Sequence, residues 1–270
     1  MPQNILTSEN VRWDLNFLYS GPADPQIDTD TQKLLSMMNA FHASYKDKLA
    51  ELLPTAISHY QEIEMLNDKI NIYLYLQQSL NVSEPIVKSK MAEIDKTLSQ
   101  AHGEYLTFFT LELVTLQDDT LEKFYVSDPL VAKHRPWIEH ARIFKPHLLS
   151  EPVESALTKR SPFTSGAWSE LFDELEADLQ FDFRGGKQSL TEMIHILTES
   201  QDAEERAQAL ELINNGFKSS FAKYAAQTLY IVAGLKSVEQ KERKYRHPME
   251  ARNKSNRIPD AVVDELHSSV

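Results

Sequence analysis

Residues 30–49 read DTQKLLSMMNAFHASYKDKL, and this stretch decides the fold class. Its apolar residues recur three and four positions apart with polar residues between them, which is the spacing of one buried face on an α-helix. Two acidic residues, Asp28 and Asp30, stand at the expected start of that helix. The stretch therefore predicts an amphipathic helix. Its apolar face consists of Leu34, Leu35, Met38, Phe41, Tyr45 and Leu49.

Two more long helices follow the first. Pro54 suits a first helical turn, where its missing N–H costs nothing, and an apolar stripe then runs from Tyr60 to Leu80. Ser83-Glu84-Pro85 is the start signal of a third helix that we expect to extend to Leu116. Three long antiparallel helices bury their stripes most simply as a hairpin assembly or bundle. We therefore predict an N-terminal long-helix bundle over residues 1–117.

Shorter elements fill residues 118–270, which we predict to form a second helical subdomain. Asp128-Pro129 and Ser150-Glu151-Pro152 each start a helix, and Ser161-Pro162 interrupts the chain again. The segment from Phe181 to Ser189 is the single candidate for a β-hairpin, with Gly185-Gly186 allowing positive φ in its turn. The sequence thus predicts an all-α fold with at most one small β-hairpin.

Composition and charge exclude several classes of function. The 270 residues carry 28 basic against 40 acidic side chains, a formal charge of −12, and they include no cysteine. No Lys/Arg cluster offers the positive surface that nucleic acid requires, and disulfides or thiolate metal sites are impossible. The N-terminus lacks the apolar stretch of a signal peptide, and no apolar run of about 18 residues occurs. We expect a cytoplasmic protein that contacts neither membrane nor nucleic acid.

The histidines do not match the spacing of a zinc peptidase. None of the nine is followed by Glu, so H-E-x-x-H, which places two ligands one helical turn apart, is missing. His134, His140 and His147 are six and seven residues apart, and on a continuous helix such steps separate successive rings by about 10 Å, too far for one zinc. We interpret all nine histidines as surface or half-buried residues.

Glu192 and His195 have the E-x-x-H spacing that di-iron bundles use, because positions i and i+3 share a helix face. Such a site needs the motif twice, and only Asp264-Glu265-Leu266-His267 comes near it. Glu192 also stands three residues after Ser189, the spacing of a capping box. We therefore interpret Glu192 as a capping residue and predict that this chain holds no catalytic or metal-binding residue.

The large apolar residues are interpreted as packing residues. Trp13, Trp137 and Trp168 are expected to anchor helices rather than to bind a ligand. Spacing keeps Trp168, Leu171 and Leu175 on one helix face. We predict that these three residues pack with Phe181 in the core of the second subdomain.

A series of local signatures occurs in a characteristic order along nearly the whole chain. The signatures are Trp13-Asp14-Leu15 with Leu18-Tyr19, Arg142 with Pro146-His147-Leu148-Leu149-Ser150-Glu151, Gly166-Ala167-Trp168 with Leu171-Phe172-Asp173-Glu174-Leu175, Ser200 with Asp202 and Arg206, His247-Pro248, Ala251-Arg252-Asn253, and Ile258-Pro259. Each is weak alone, but together they resemble the oligoendopeptidase F family within the thimet-type metallopeptidases.

The resemblance implies a zinc endopeptidase that cleaves short peptides inside a closed cavity, one wall of which the N-terminal helices form. This chain lacks H-E-x-x-H and the downstream Glu of the family's zinc site, so we expect zinc only in a separate catalytic lobe. We expect the partners of this chain to be that catalytic lobe and short peptides. Apolar spacing after Pro259 also continues to Val270 without a C-cap, which suggests a chain cut within a helix. The alternative is a free-standing helical interaction module without enzymatic activity, and the residues that contact substrate are left open.

Overall fold

A computed structural model describes residues 14–80, 84–218 and 220–270, and Trp13 and Ser83 lie outside the described residues. The described residues form helices and one two-stranded sheet, so the predicted all-α fold with one small hairpin is confirmed. The elements are α1 Pro25–Tyr45, α2 Leu49–Leu80, α3 Pro85–Ala101, α4 Thr107–Thr115, α5 Asp118–Ser127, α6 Pro129–Arg142, α7 Glu151–Arg160, α8 Ser165–Ala177, β1 Gln180–Phe183, β2 Gly186–Ser189, α9 Leu190–Glu199, α10 Ala203–Phe217, α11 Ser220–Glu242, α12 Glu250–Ser255 and α13 Asp260–Ser269.

The first long helix buries the face that the sequence predicts, except that α1 ends at Tyr45 and the buried Leu49 belongs to α2. Asp24 caps α1 by accepting the backbone N–H of Gln26, and Pro25 occupies the first turn. Leu34, Met38 and Phe41 are almost fully buried in the main core. α2 begins earlier than predicted, at Leu49, because a kink at residue 52 joins a short helical turn to the long helix that follows. No helix in the described ranges is long and apolar enough to cross a membrane.

A π-turn interrupts the third long helix. His102–Leu106 form this turn between α3 and α4, and Gly103 lies within it. A Cβ on Gly103 would lie 2.8 Å from the carbonyl oxygen of Ser155 and 2.6 Å from Cγ of Lys159, both on α7. Glycine is therefore needed for the close approach of α7 to the bundle.

Residues beyond 117 also pack on the first bundle. Leu121 of α5 and Val131 and Ile138 of α6 are buried in the same core as α1 and α2. The guanidinium of Arg142 donates to the carbonyl oxygen of Leu116 over 2.7 Å, which ties α6 to the end of α4. The boundary at residue 117 and the division into 1–117 and 118–270 stay predictions.

A second, smaller core forms around the hairpin. β1 and β2 pair antiparallel, with Phe181 opposite Gln188. The positive φ angles of the turn belong to Arg184 (49°) and Gly185 (83°), one position earlier than the predicted Gly185-Gly186. The buried side chains of β1, Phe181 and Phe183, lie on one face of the hairpin. The core contains Phe181, Phe183, Leu190, Met193, Ala209 and Ile213.

The predicted packing of α8 is partly wrong. Phe181 is buried, but Leu171 is 38% exposed, and Trp168 and Leu175 are only half-buried. The reason is that α8 packs along α11 through contacts such as Phe172 against Phe221, and not against the hairpin core. One neighbouring helix covers only part of an apolar face, so this face stays partly in contact with solvent.

Candidate functional site: a buried polar cluster around His147

The three histidines singled out by spacing have separate environments. Nδ1 of His134 lies 2.7 Å from the carbonyl oxygen of Leu130, one turn earlier on α6. The ring of His140 contacts Phe144 edge to face. His147, in contrast, is 6% exposed, so the interpretation of all nine histidines as surface or half-buried residues is wrong for this one.

The predicted capping role of Glu192 is confirmed. Its carboxylate accepts the backbone N–H of Ser189 over 2.7 Å, and the Ser189 hydroxyl in turn accepts the backbone N–H of Glu192. The bond from the Ser189 backbone lowers the pKa of Glu192. His195 is exposed on the same helix. The geometry matches a capping box.

His147 occupies a 3-10 turn, Lys145–His147, between α6 and α7. Its ring stacks on Tyr245, with centroids 4.1 Å apart. Nδ1 lies 2.8 Å from the carbonyl oxygen of Arg243, and Nε2 lies 2.7 Å from the ammonium nitrogen of Lys254. One imidazole therefore connects this turn to the end of α11 and to α12.

Glu250 is the buried anion of the cluster, only 3% exposed at the start of α12. It accepts the backbone N–H of Arg246 over 2.5 Å, and the side chains of Arg246 and Lys254 lie at 3.1 and 3.2 Å. Burial alone would raise the pKa of Glu250, but these donors outweigh burial and hold the pKa at about 2. Glu250 is therefore ionised at any ordinary pH.

A second ion pair ties α7 to the end of α11. Arg243 donates to both carboxylate oxygens of Glu154, at 2.6 and 2.9 Å, and Glu154 also accepts the backbone N–H of Leu149. Burial opposes ionisation of Glu154, but the guanidinium of Arg243 prevails and lowers the pKa of this carboxyl. The paired geometry is the strong, bidentate form of an arginine–carboxylate contact.

Asp260 completes the cluster at the start of α13. It accepts hydrogen bonds from Asn253 (2.9 Å) and Arg246 (2.9 Å), and Nε2 of His247 lies 3.0 Å away. The bond from Asn253, followed by that from His247, lowers the pKa of Asp260. The cluster thus joins α7, α11, α12 and α13.

The donor set suits structural positioning rather than metal or acid–base chemistry. The carboxylates of Glu154, Glu250 and Asp260 are already paired with cationic side chains. Lys254 points its ammonium at the one ring nitrogen of His147 that could bind a metal. Within residues 14–80, 84–218 and 220–270, no group of three or more His, Cys, Asp or Glu could hold a metal ion. These residues do not fit the zinc that the family resemblance implies.

Sequence reasoning included His147 and missed its partners Glu154, Arg243, Glu250 and Lys254. A local signal existed for two of them, because Glu250 and Lys254 have the i, i+4 spacing of a helical ion pair. Nothing local connects His147 to either, since about a hundred positions separate them. The cluster also contains residues from several of the family signatures in the sequence, from Pro146-His147 to Asn253.

Comparison with known proteins finds similarity to the family that the sequence signatures resemble. A family model described as Oligopeptidase F matches residues 112–181. Group B oligopeptidase PepB of Streptococcus agalactiae serotype III (strain NEM316) is 23% identical over 272 residues, covering 97% of this chain and 44% of that protein. Oligopeptidase PepF of Bacillus subtilis (strain 168) is 22% identical over 280 residues, covering 100% of this chain and 41% of that protein.

The fold matches a solved structure as well. The crystal structure of oligoendopeptidase-F from Enterococcus faecium superposes with a TM-score of 0.75 at 23% identity, over 89% of this chain and 49% of that chain. This likeness concerns the fold. The chain spans less than half the length of the curated relatives it matches.

Proposed function

From the premise that the comparisons support an N-terminal region of the oligoendopeptidase F family, we propose that this chain is the non-catalytic helical part of a zinc-dependent oligopeptidase. It forms one wall of the substrate cavity and restricts access to short peptides. The hydrolytic chemistry belongs to a catalytic lobe that these 270 residues do not include, because the sequence has no H-E-x-x-H. The whole protein's activity and substrates are part of the proposal.

One observation supports the proposed docking of a further lobe more than any other: the exposed apolar side chains of α11. Of its 23 residues, only Thr228 is buried, whereas Leu229 is 69% and Tyr230 is 76% exposed. Large exposed apolar side chains on a helix that is covered by few neighbours are candidates for an interaction site. Further exposed apolar residues lie on α11 and on α13. They are Tyr224, Leu235, Val238, Val262 and Leu266.

We assign this surface to the catalytic lobe because the matched relatives are more than twice as long as this chain. Docking of a second lobe against α11 and α13 would bury the exposed leucine, valine and tyrosine side chains. The cavity would then lie between the two parts, and its opening would limit substrates to chains that can enter unfolded. Steric gating of this type needs no reactive group on the gating wall.

The experiment measures zinc content and peptide hydrolysis. We expect the 270-residue chain alone to hold no stoichiometric zinc after dialysis and to leave a quenched-fluorescent peptide of about ten residues intact, because catalytic zinc needs about three protein ligands. Addition of a separately produced catalytic lobe carrying H-E-x-x-H should restore cleavage that a chelator abolishes. About one zinc per chain with chelator-sensitive cleavage by the chain alone would overturn the proposal.

A matched pair of variants tests the docking surface. Leu229→Glu introduces a charge on the exposed face of α11 and should weaken restoration of cleavage by the catalytic lobe. Gln208→Glu introduces one charge at an exposed position on α10 and should leave restoration unchanged. Equal restoration by both variants would remove α11 from the docking surface. Absence of restoration with the unaltered chain would favour a free-standing interaction module.

A further inference from the structure

The geometry around His147 assigns one tautomer to its neutral ring. The carbonyl oxygen of Arg243, 2.8 Å from Nδ1, can only accept a hydrogen bond, so Nδ1 carries the proton. Nε2 then presents a lone pair, and the ammonium of Lys254, which can only donate, lies 2.7 Å from it. The neutral ring thus donates to the end of α11 and accepts from α12 at the same time.

We propose that this arrangement is an acid-sensitive latch: protonation of His147 releases Lys254 and loosens α12 and α13 from the turn that precedes α7. A second proton must bind at Nε2, where the lone pair accepts from Lys254. The hydrogen bond would then be replaced by two cationic groups in contact, and both would compete for the carboxylate of Glu250. The latch is therefore closed in neutral solution and weaker in mildly acidic solution.

The charged and titratable groups around the ring decide the sign of the effect. On the cationic side, Arg243 at the end of α11 and Lys254 on α12 oppose a positive ring. On the anionic side, Glu250 favours it, with Oε1 4.0 Å from Nε2. Glu250 is already occupied by the backbone and side chain of Arg246 and by Lys254. Glu250 can take the protonated ring as partner only after Lys254 leaves.

Three further groups contact the ring or other members of the cluster. Tyr245 stacks on it as a neutral phenol, since burial raises the pKa of Tyr245. Glu154, from α7, is paired with Arg243 and so offsets that cation. His247 lies beside Asp260, 3.0 Å away, and its protonation would strengthen that contact. Protonation of His147 therefore loosens α12, whereas protonation of His247 tightens its contact with Asp260. A loosening of α12 in acid would thus be attributed to His147 and not to His247.

The test is amide hydrogen exchange of α12 in the full 270-residue chain, corrected for the intrinsic pH dependence of exchange. Protection of residues 250–255 should fall about tenfold between about pH 7.5 and pH 5. His147→Gln places a neutral amide at this position and should remove the pH dependence. His134→Gln, on α6 outside the cluster, should retain it.

Lys254→Met tests the mechanism independently and covers the case in which His147→Gln does not fold. Without the ammonium, a protonated ring can pair with Glu250, so protection of α12 should stay constant or rise on acidification. The proposal is overturned if protection in the unaltered protein is the same at both pH values. It is equally overturned if a folded His147→Gln or Lys254→Met protein responds to acid as the unaltered protein does.

Discussion

Arg243 and Glu154 are 89 positions apart in the sequence and form a bidentate ion pair, with N–O distances of 2.6 and 2.9 Å. Both side chains are largely buried, at 17% and 14% exposure. The pair joins the residue that directly follows α11 to α7. Helix α7 in turn lies against the glycine of the π-turn in the first bundle. A contact between one arginine and one glutamate thus connects the C-terminal helices to the main core.

Arg243→Met should destabilise the protein by about 2 to 4 kcal/mol, because it leaves the carboxylate of Glu154 without its cation. The figure is below that for a fully buried pair, since water reaches part of this one. Arg243→Lys keeps the charge but loses the bidentate geometry, so we expect about half of the destabilisation caused by Arg243→Met. Urea unfolding at neutral pH measures both changes. Arg252→Met, at an exposed position, is the control and should change stability by less than about 0.5 kcal/mol.

Glu250→Gln should change how stability depends on acid. The folded-state pKa of Glu250 is about 2, against 4.5 for the free group, so its ionised form contributes stability above about pH 4.5. That contribution is lost as the pH falls from about 4.5 towards 2. Solvent around the exposed side chain of Arg246 screens the site, so we expect about 1 to 2 kcal/mol. The difference in unfolding free energy between Glu250→Gln and the unaltered protein should therefore be smaller at about pH 3 than at about pH 7.

The matched control for this acid effect is Glu265→Gln, at an exposed position on α13. Its unfolding free energy should follow that of the unaltered protein at every pH. A Glu250→Gln protein that keeps a constant difference from the unaltered protein between neutral and acidic solution would contradict the assigned pKa of Glu250.

The helices could be predicted because their signals are local. Asp128 caps α6 by accepting the backbone N–H groups of Leu130 and Val131, and such a cap involves only four consecutive positions. The capping box of Ser189 and Glu192 is equally local. Apolar spacing also identified the buried face of α1, since that helix is covered on the same side along its length.

The depth of burial in the second half could not be predicted in the same way. Spacing correctly places Trp168, Leu171 and Leu175 on one helix face, but it does not say which neighbour covers that face. Here the covering helix is α11, and Leu171 keeps 38% of its surface exposed. The cluster around His147 was missed for a related reason, because its partners come from α7, α11 and α12 and meet only in the folded chain.

Met193 and Leu171 should differ in their response to truncation, although both are apolar helix residues. Met193 is fully buried in the hairpin core, so Met193→Ala should cost about 2 to 5 kcal/mol. Leu171→Ala removes a side chain that already contacts solvent and should cost less than about 1 kcal/mol. Denaturant unfolding followed by circular dichroism compares the two. Equal losses would mean that α8 is covered as the sequence first predicted.

Two glycines in long helices should respond to alanine with opposite signs. At Gly216, on α10, a Cβ would lie 2.5 Å from Cε1 of Phe181, so Gly216→Ala must displace a buried ring of the hairpin core. Such overpacking costs about 1 to 3 kcal/mol, which exceeds the gain of up to about 1 kcal/mol from the better helix former. At Gly234, on α11, no atom lies within 4 Å of the added Cβ, so Gly234→Ala should stabilise the helix by up to about 1 kcal/mol. Thermal unfolding of the two variants measures the difference. A stabilised Gly216→Ala protein would show that the ring of Phe181 can shift freely, and it would contradict the close packing of α10 against the hairpin.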